Sequence, residues 1–461
     1  MVGKIRCRGA AYGLLLCGAV LLVYAITAVA SADVTACTAP TMPEVTDTTV
    51  YQTPNLAEPQ PRAPFLDPVF GTCVVRVTDR TADLDPGDPS PGLKNEYSRV
   101  QAFNANGTRL LARSVEANWY LYDAVTLQVI RQLPLDIDPR WDATDPDVIY
   151  HFTESAVDDQ ARYVRLMAYN VATSQETLVH DFTADFPGQQ VTAVWTRYEG
   201  SPSSDGRTWG LMAQDAQWLP MALVVYDQLT DTVIASLDLT GFTQVQREID
   251  TVTISPSGNY FLAYHDLTCP VGTLGTAANP CGLMVYDQNL KNGRGLLRTV
   301  GHSDPAYDSQ GREVLVFQDT TTDWISMVDL QSGVITALWQ IDFSHSPIGF
   351  HISGRSFAEP GWAIVSTYEG SRPTAMTWMD DSVFAVELTA GGRVARLAHT
   401  HSLVDDVNDP DYFYFAEPQA SANHDLTRIV FGSNWDQMGT GEVEMYLIDL
   451  PANWVDNLPV P

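Results

Sequence analysis

The sequence predicts an all-β fold, a seven-bladed β-propeller closed by an N-terminal strand. Three observations predict it: a strand-ending motif present in seven copies, a polar turn recurring ahead of several of them, and a spare strand before the first copy. The motif is a short apolar run that ends in Asp, Asn or Glu. It reads Trp119-Tyr-Leu-Tyr-Asp123, Leu166-Met-Ala-Tyr-Asn170, Leu223-Val-Val-Tyr-Asp227 and Leu283-Met-Val-Tyr-Asp287. It continues as Ile325-Ser-Met-Val-Asp329, Val383-Phe-Ala-Val-Glu387 and Met445-Tyr-Leu-Ile-Asp449, with successive copies 42 to 62 residues apart. Units of that length, each with about four short strands, stack radially as propeller blades.

In chain order, the first element reads as an export signal. Lys4, Arg6 and Arg8 precede an apolar run from Gly9 to about Ala30, and Ala30-Ser31-Ala32 offers small residues for a peptidase. Residues 1–32 are therefore a signal peptide, or an N-terminal anchor if left uncleaved, since the run is long for a signal. Cys17 follows the bulky Leu16 and does not suit lipid attachment. The body is expected to be secreted, periplasmic or cell-surface, touching a membrane only through such an anchor.

Residues 33–71 read as an N-terminal arm and 72–461 as the propeller. The last repeat runs out near Trp454 without a fourth strand, so Thr72–Thr78 is expected to supply the outer strand of the final blade. Closing the ring removes an exposed sheet edge. In the first repeat the expected strands are Arg99–Phe103, Arg109–Ser114, Trp119–Asp123 and Gln128–Leu133. The polar turn appears as Asn104-Ala-Asn-Gly, Ser255-Pro-Ser-Gly and Asp308-Ser-Gln-Gly, while Asn423-His-Asp-Leu has lost the glycine. Stretches at 265–282, 366–382 and 402–416 exceed ordinary hairpin loops and carry Tyr368, Arg372, Trp378, Tyr412 and Tyr414.

Cys37, Cys73, Cys269 and Cys281 lie beyond the signal, and an even count in an exported chain reads as disulfides. Cys269 and Cys281 bracket a Pro/Gly/Thr loop and are expected to pair. Cys37 would then tie the arm to the strand holding Cys73. A zinc site is the weaker reading without a CxxC spacing.

Composition limits function. Hydrophobic residues make up 45%, enough for a large core, and only 18% are charged. Acids outnumber bases 56 to 26, a formal charge of −30, which argues against nucleic acid. It also disfavours anionic lipids and glycans unless a bound cation or a local arginine reverses the field. No GxSxG elbow, HExxH helix, Walker loop or dinucleotide fingerprint occurs. Asp83-Leu-Asp-Pro-Gly-Asp88 and Asp136-Ile-Asp138 offer oxygen ligands for calcium, but out of EF-hand register, so solvated acidic loops are the competing account.

Propeller geometry predicts where a site lies. Residues at the starts of the innermost strands converge on one channel mouth: Asn95, Glu96 and Tyr97; Arg140 and Trp141; Trp195 and Arg197; Glu248 and Asp250. The later blades add His302, Asp304, His351, Glu417 and Gln419. Aromatics beside charged groups suit a sugar. Each also has a plainer reading. His302 and His351 would fix turns through backbone groups, and Trp141 and Trp195 would pack between blades. Arg140 would pair with Asp138 or Asp142, and Glu417 would accept a hydrogen bond between blades. His399 and His401, on an expected outermost strand, read as structural or surface residues.

From Thr72 to Trp454 the chain resembles the bacterial WD40-like propellers, a superfamily that includes TolB-type domains. Through Gly301-His-Ser-Asp304, Phe350-His-Ile-Ser-Gly354 and Ala416-Glu-Pro-Gln-Ala420 it also resembles the exported seven-bladed polysaccharide lyases of the oligogalacturonate and ulvan type. That resemblance implies a histidine-bearing centre, often with a metal; here Gln419 and Asn95 stand where further histidines are expected. The favoured expectation is an exported propeller that binds a glycan, or an extracellular protein, at the channel mouth. The alternative is a lyase acting beside a uronate: His302 or His351 as base, Tyr97 returning a proton, and Arg140 or a divalent cation (calcium or a transition metal) neutralising the carboxylate.

Overall fold

In a computed structural model, residues 40–154, 162–343, 348–370, 375–404 and 413–458 are described. The signal segment, Cys37, Arg372 and Tyr412 lie outside the described residues, and with Cys37 its pairing to Cys73. No helix among the described residues is long and apolar enough to cross a membrane.

Seven antiparallel blades follow one another in order. Blade one is Leu93–Lys94, Arg109–Ser114, Trp119–Asp123 and Val129–Leu133. Blade two runs from Ile137–Trp141 to Gln175–Asp181, and blade three from Ala193–Trp195 to Thr232–Asp238. These two are joined in one sheet by a parallel bridge, Ala193 to Tyr163. Blades four, five and six start at Ile249–Ile254, Ser303–Tyr307 and Gly349–Ser353. Blade seven is Ser421–Ala422, Arg428–Ser433 and Glu444–Asp449, completed by Cys73–Arg76 with Cys73 opposite Asp449. The N-terminal strand therefore closes the ring, as the missing fourth strand predicts. Core side chains sit between neighbouring sheets, as where Ile364 and Leu397 of blade six meet Ile429 and Phe431 of blade seven.

The recurring acid is a turn device. Oδ1 of Asp123 accepts the backbone N–H groups of Val125 and Thr126, and Asp227 and Asp329 do the same two and three residues on. The polar turn before it works similarly: Asn104 and Asn423 accept from the N–H five residues later, and Asp308 from the N–H four residues later. Its glycine is required by a left-handed backbone, φ 80° at Gly258. Leu426 holds that conformation in blade seven at φ 59°. Its side chain is fully buried, worth about 2 kcal/mol, which offsets the roughly 1–2 kcal/mol that a left-handed non-glycine costs.

One expectation is corrected. The innermost strand of blade one is Leu93–Lys94, not Arg99–Phe103; only Phe103 bridges back to Leu110. Residues 95–100 instead form a buried turn held by other blades. Ser201 Oγ donates to the Arg99 carbonyl at 2.8 Å, Ser421 Oγ to the Val100 carbonyl at 2.7 Å, and Asn95 Nδ2 to the Gln419 carbonyl at 2.7 Å. The arm, expected at 33–71, packs against the last two blades over its described residues. Phe65–Leu66 adds a fifth strand to blade seven. Arg396 N–H donates to the Val45 carbonyl, and Asp67 binds both the backbone N–H and Nδ1 of His399. The outer strand of blade six, Val394–His399, is consequently buried throughout, whereas Thr232–Asp238 of blade three alternates between exposed and half-buried.

Candidate functional site

Strands in each blade are antiparallel, so the start of an innermost strand lies beside the end of the next one. In blade four Ile249 pairs with His265. One mouth of the channel is thus built from strand starts, from ends of second strands, and from the inward turn at 95–100. A cavity of about 300 Å³ opens there, lined by Tyr97 and Arg99 of blade one, Glu199 of blade three, Asp250, Tyr264, His265 and Asp266 of blade four, and His302 ahead of blade five.

Two imidazoles in its wall have fixed tautomers. His265 Nδ1–H donates to the Gln246 carbonyl at 2.9 Å, and His302 Nδ1–H donates to the Phe350 carbonyl. Nε2 of each is then a bare lone pair. His265 is 6% exposed, and its Nε2 has no protein partner. Burial pushes His265 down to about 4. His302 falls to about 3, through burial first and the adjacent His351 second. Both are neutral acceptors at neutral pH.

Behind His302 lies a buried stack. The His302 and His351 rings are 4.1 Å apart and nearly parallel, the Tyr97 edge meets His351 at 5.3 Å, and Tyr368 stacks at 5.6 Å. His351 Nε2–H donates to Glu417 Oε2 at 2.7 Å, and Gln419 Nε2 reaches the same oxygen at 3.4 Å. Burial alone would raise Glu417, but the His351 hydrogen bond and nearby positive charge hold it at about 2. Burial keeps His351 neutral against that pull. Lys94 donates to Gln419 Oε1 and is pushed down to about 7 by burial.

Arg99 stands over the Tyr264 ring at 4.8 Å and the Tyr97 ring at 5.7 Å. Its Nη1 lies 2.9 Å from Glu199, yet burial still pushes that carboxyl up to about 7. Arg197 sits at the rim, bonded to the Ile249 and Asp250 carbonyls and 3.8 Å from the Asp250 carboxylate.

The sequence-derived residues therefore fall into groups. Tyr97 and His302 line the cavity, with His351, Glu417 and Gln419 directly behind. Glu96 lies apart, 3.3 Å from Arg113. Asp304 turns to the Gly354 N–H at 2.7 Å and towards Arg355 at 3.8 Å; burial raises it to about 6. Trp195 is core, bonding Gln214, and Trp141 donates to the Ala102 carbonyl. Trp141 and Arg140 border a separate, 40 Å³ cavity with Arg355 and His424.

Arg140 has no guanidinium edge left for a ligand carboxylate. It donates to the carbonyls of Gly200, Pro139 and Tyr198 at 2.7–2.8 Å. Asp138 accepts the N–H groups of Thr196 and Tyr198, both at 2.7 Å. Together they pin the loop that carries Glu199 into the cavity. The acidic runs are likewise committed to protein donors: Asp83 accepts from Tyr122 and Asp88 from Tyr120.

Arg99, Glu199, Tyr264, His265 and Asp266 escaped sequence reasoning. Arg99 was expected to open the strand Arg99–Phe103, Glu199 sits in a loop after Ala193–Trp195, and the other three follow from pairing the end of one strand with the start of its neighbour. No group of three or more His, Cys, Asp or Glu side chains among the described residues is arranged to hold a metal ion. The donor atoms account for this: His351 Nε2 faces Glu417, His302 Nδ1 faces a carbonyl, and Gln419 supplies an amide. A resident divalent cation does not fit this set.

No protein-family model matches the chain, and no curated protein matches it in sequence. Solved structures do match in fold. An oligogalacturonate lyase in complex with manganese is similar at 15% identity and TM-score 0.55, covering 85% of this chain and 97% of the lyase. An oligogalacturonate lyase from Vibrio parahaemolyticus is similar at 14% identity and TM-score 0.56, over the same shares. At such identity the likeness establishes the architecture, and the chain is a β-propeller.

Proposed function

We propose that this chain is an exported propeller that binds a glycan unit in the 300 Å³ cavity at the channel mouth. One observation carries the reading: four blades converge two tyrosines, an arginine and two neutral imidazoles of fixed tautomer on one cavity. Aromatic walls with a few oriented polar groups are the usual make-up of such a pocket. The export signal and the disulfide joining Cys269 to Cys281 agree with a destination outside the cytoplasm.

The lyase reading draws support from the fold likeness and from His302 standing beside Tyr97. Its weakness is chemical. A base with a pKa of about 3 draws little driving force for removing a carbon-bound proton. The arginine assigned to the uronate is also bonded elsewhere. The test is a panel of immobilised polysaccharides, with retention and the ultraviolet absorbance of an unsaturated uronate read together. Retention without absorbance growth is expected. Absorbance growth abolished by His302→Ala would replace binding with catalysis.

A further inference from the structure

We infer that the cavity selects a sugar carrying a free, protonated amino group rather than a uronate; this rests on the glycan-binding reading above. The argument begins with hydrogen-bond polarity. His265 Nε2 is a buried lone pair without a protein partner, and His302 Nε2 is a second on the same wall. Neither can donate, since the single N–H of each ring is committed to a backbone carbonyl. A carboxylate would set lone pairs against lone pairs, whereas an ammonium or hydroxyl supplies the hydrogen they lack.

Charge separates the ammonium from the hydroxyl. Glu199, Asp250 and Asp266 border the cavity, and only Arg99 opposes them from within it, already 2.9 Å from Glu199. Arg197 at the rim is held by Asp250 and its carbonyl. An arriving carboxylate would add its charge to those of Asp250, Asp266 and a Glu199 that is partly ionised near neutral pH, against two arginines already holding carboxylate or carbonyl partners. An ammonium would meet an excess of carboxylate in a site partly shielded from water, where such pairing is stronger than in bulk. Tyr97 and Tyr264, with Arg99 over both rings, complete the wall that the sugar would meet.

The test is calorimetric titration of the full chain at pH 7, where Glu199 is about half ionised and a sugar amine is still partly protonated, with chelator throughout. Four oligosaccharides of equal length are compared: β-1,4-glucosamine, its N-acetylated form, a neutral glucan and an oligogalacturonate. Putrescine serves as an amine without a sugar. The glucosamine oligomer is expected to bind at least tenfold tighter than every other probe. Glu199→Gln, which keeps the shape of the side chain, should cost the glucosamine oligomer about tenfold and leave the neutral glucan unchanged. His265→Asn, carrying an amide acceptor, should retain part of the affinity that His265→Leu loses. Oligogalacturonate or N-acetylated sugar binding as tightly as the amine would overturn this inference and leave glycan binding intact. Putrescine matching the glucosamine oligomer would overturn the sugar component. Silence from all four oligosaccharides would overturn both readings.

Discussion

Replacing His302 by glutamine isolates the protonation of one imidazole. His302 is half-buried in the cavity wall, and its folded pKa of about 3 lies far below the value of 6.5 for a free imidazole. A lowered base binds its proton in the unfolded chain first. Its contribution is therefore complete above pH 6.5 and is lost as pH falls through 6.5 towards 3. Between pH 6.5 and 5.0 the proton linkage of that one group amounts to about 1.6 kcal/mol of unfolding free energy. Glutamine retains an N–H for the Phe350 carbonyl but does not titrate. Other groups titrate in both proteins and cancel in the difference. Urea unfolding followed by tryptophan fluorescence at the two pH values should show the native chain losing about 1.6 kcal/mol more than His302→Gln. Equal losses would refute the reasoning. They would mean that His302 accepts a proton normally in the folded state, which would return it to contention as a general base.

Other perturbations test the supports of the site. Arg140→Met should cost about 2–4 kcal/mol in urea unfolding, because it removes a donor shared by the carbonyls of Pro139, Tyr198 and Gly200 and the cation beside buried Asp138. It should also weaken glycan retention by freeing the loop that carries Glu199. Gly258→Ala places a Cβ 2.7 Å from Thr208 Oγ1 at φ 80° and should cost at least about 1–2 kcal/mol in the same measurement. Val75→Asp puts a carboxyl at a fully buried position on the closing strand. A stability loss above about 3 kcal/mol is expected in thermal or urea unfolding.

The architecture was legible because it repeats. Seven strands ending in Asp, Asn or Glu, a polar turn ahead of several of them and one displaced strand carry the blade count, the order and the closure. The physics behind several copies is local: the side-chain oxygen of Asp123, Asn170, Asp227 or Asp329 accepts two N–H groups in its own turn, so a short window carries the signal. The contacts that anchor the arm are not legible, for the opposite reason. Its partners, Asp67 with His399 and Val45 with Arg396, lie more than 300 residues away, and nothing local in residues 40–71 marks that pairing.

The site is hard to read because it forms where the repeat breaks. Residues 95–100 leave the strand pattern, fold inward, and bring Tyr97 and Arg99 to the cavity by bonding to blades three and seven. The loop at 196–200 departs in the same way, with Arg197 and Tyr198 both at positive φ, and delivers Glu199. Left-handed non-glycine residues are costly, and here Asp138 and Arg140 hold the conformation from a neighbouring blade. Two irregular segments from different blades, each over-determined by contacts outside itself, face His265 and His302 on the regular blades. A repeat sufficient to build the ring needs neither departure. Their common destination, the cavity with its unpartnered His265 nitrogen, is the strongest reason to place function at this mouth.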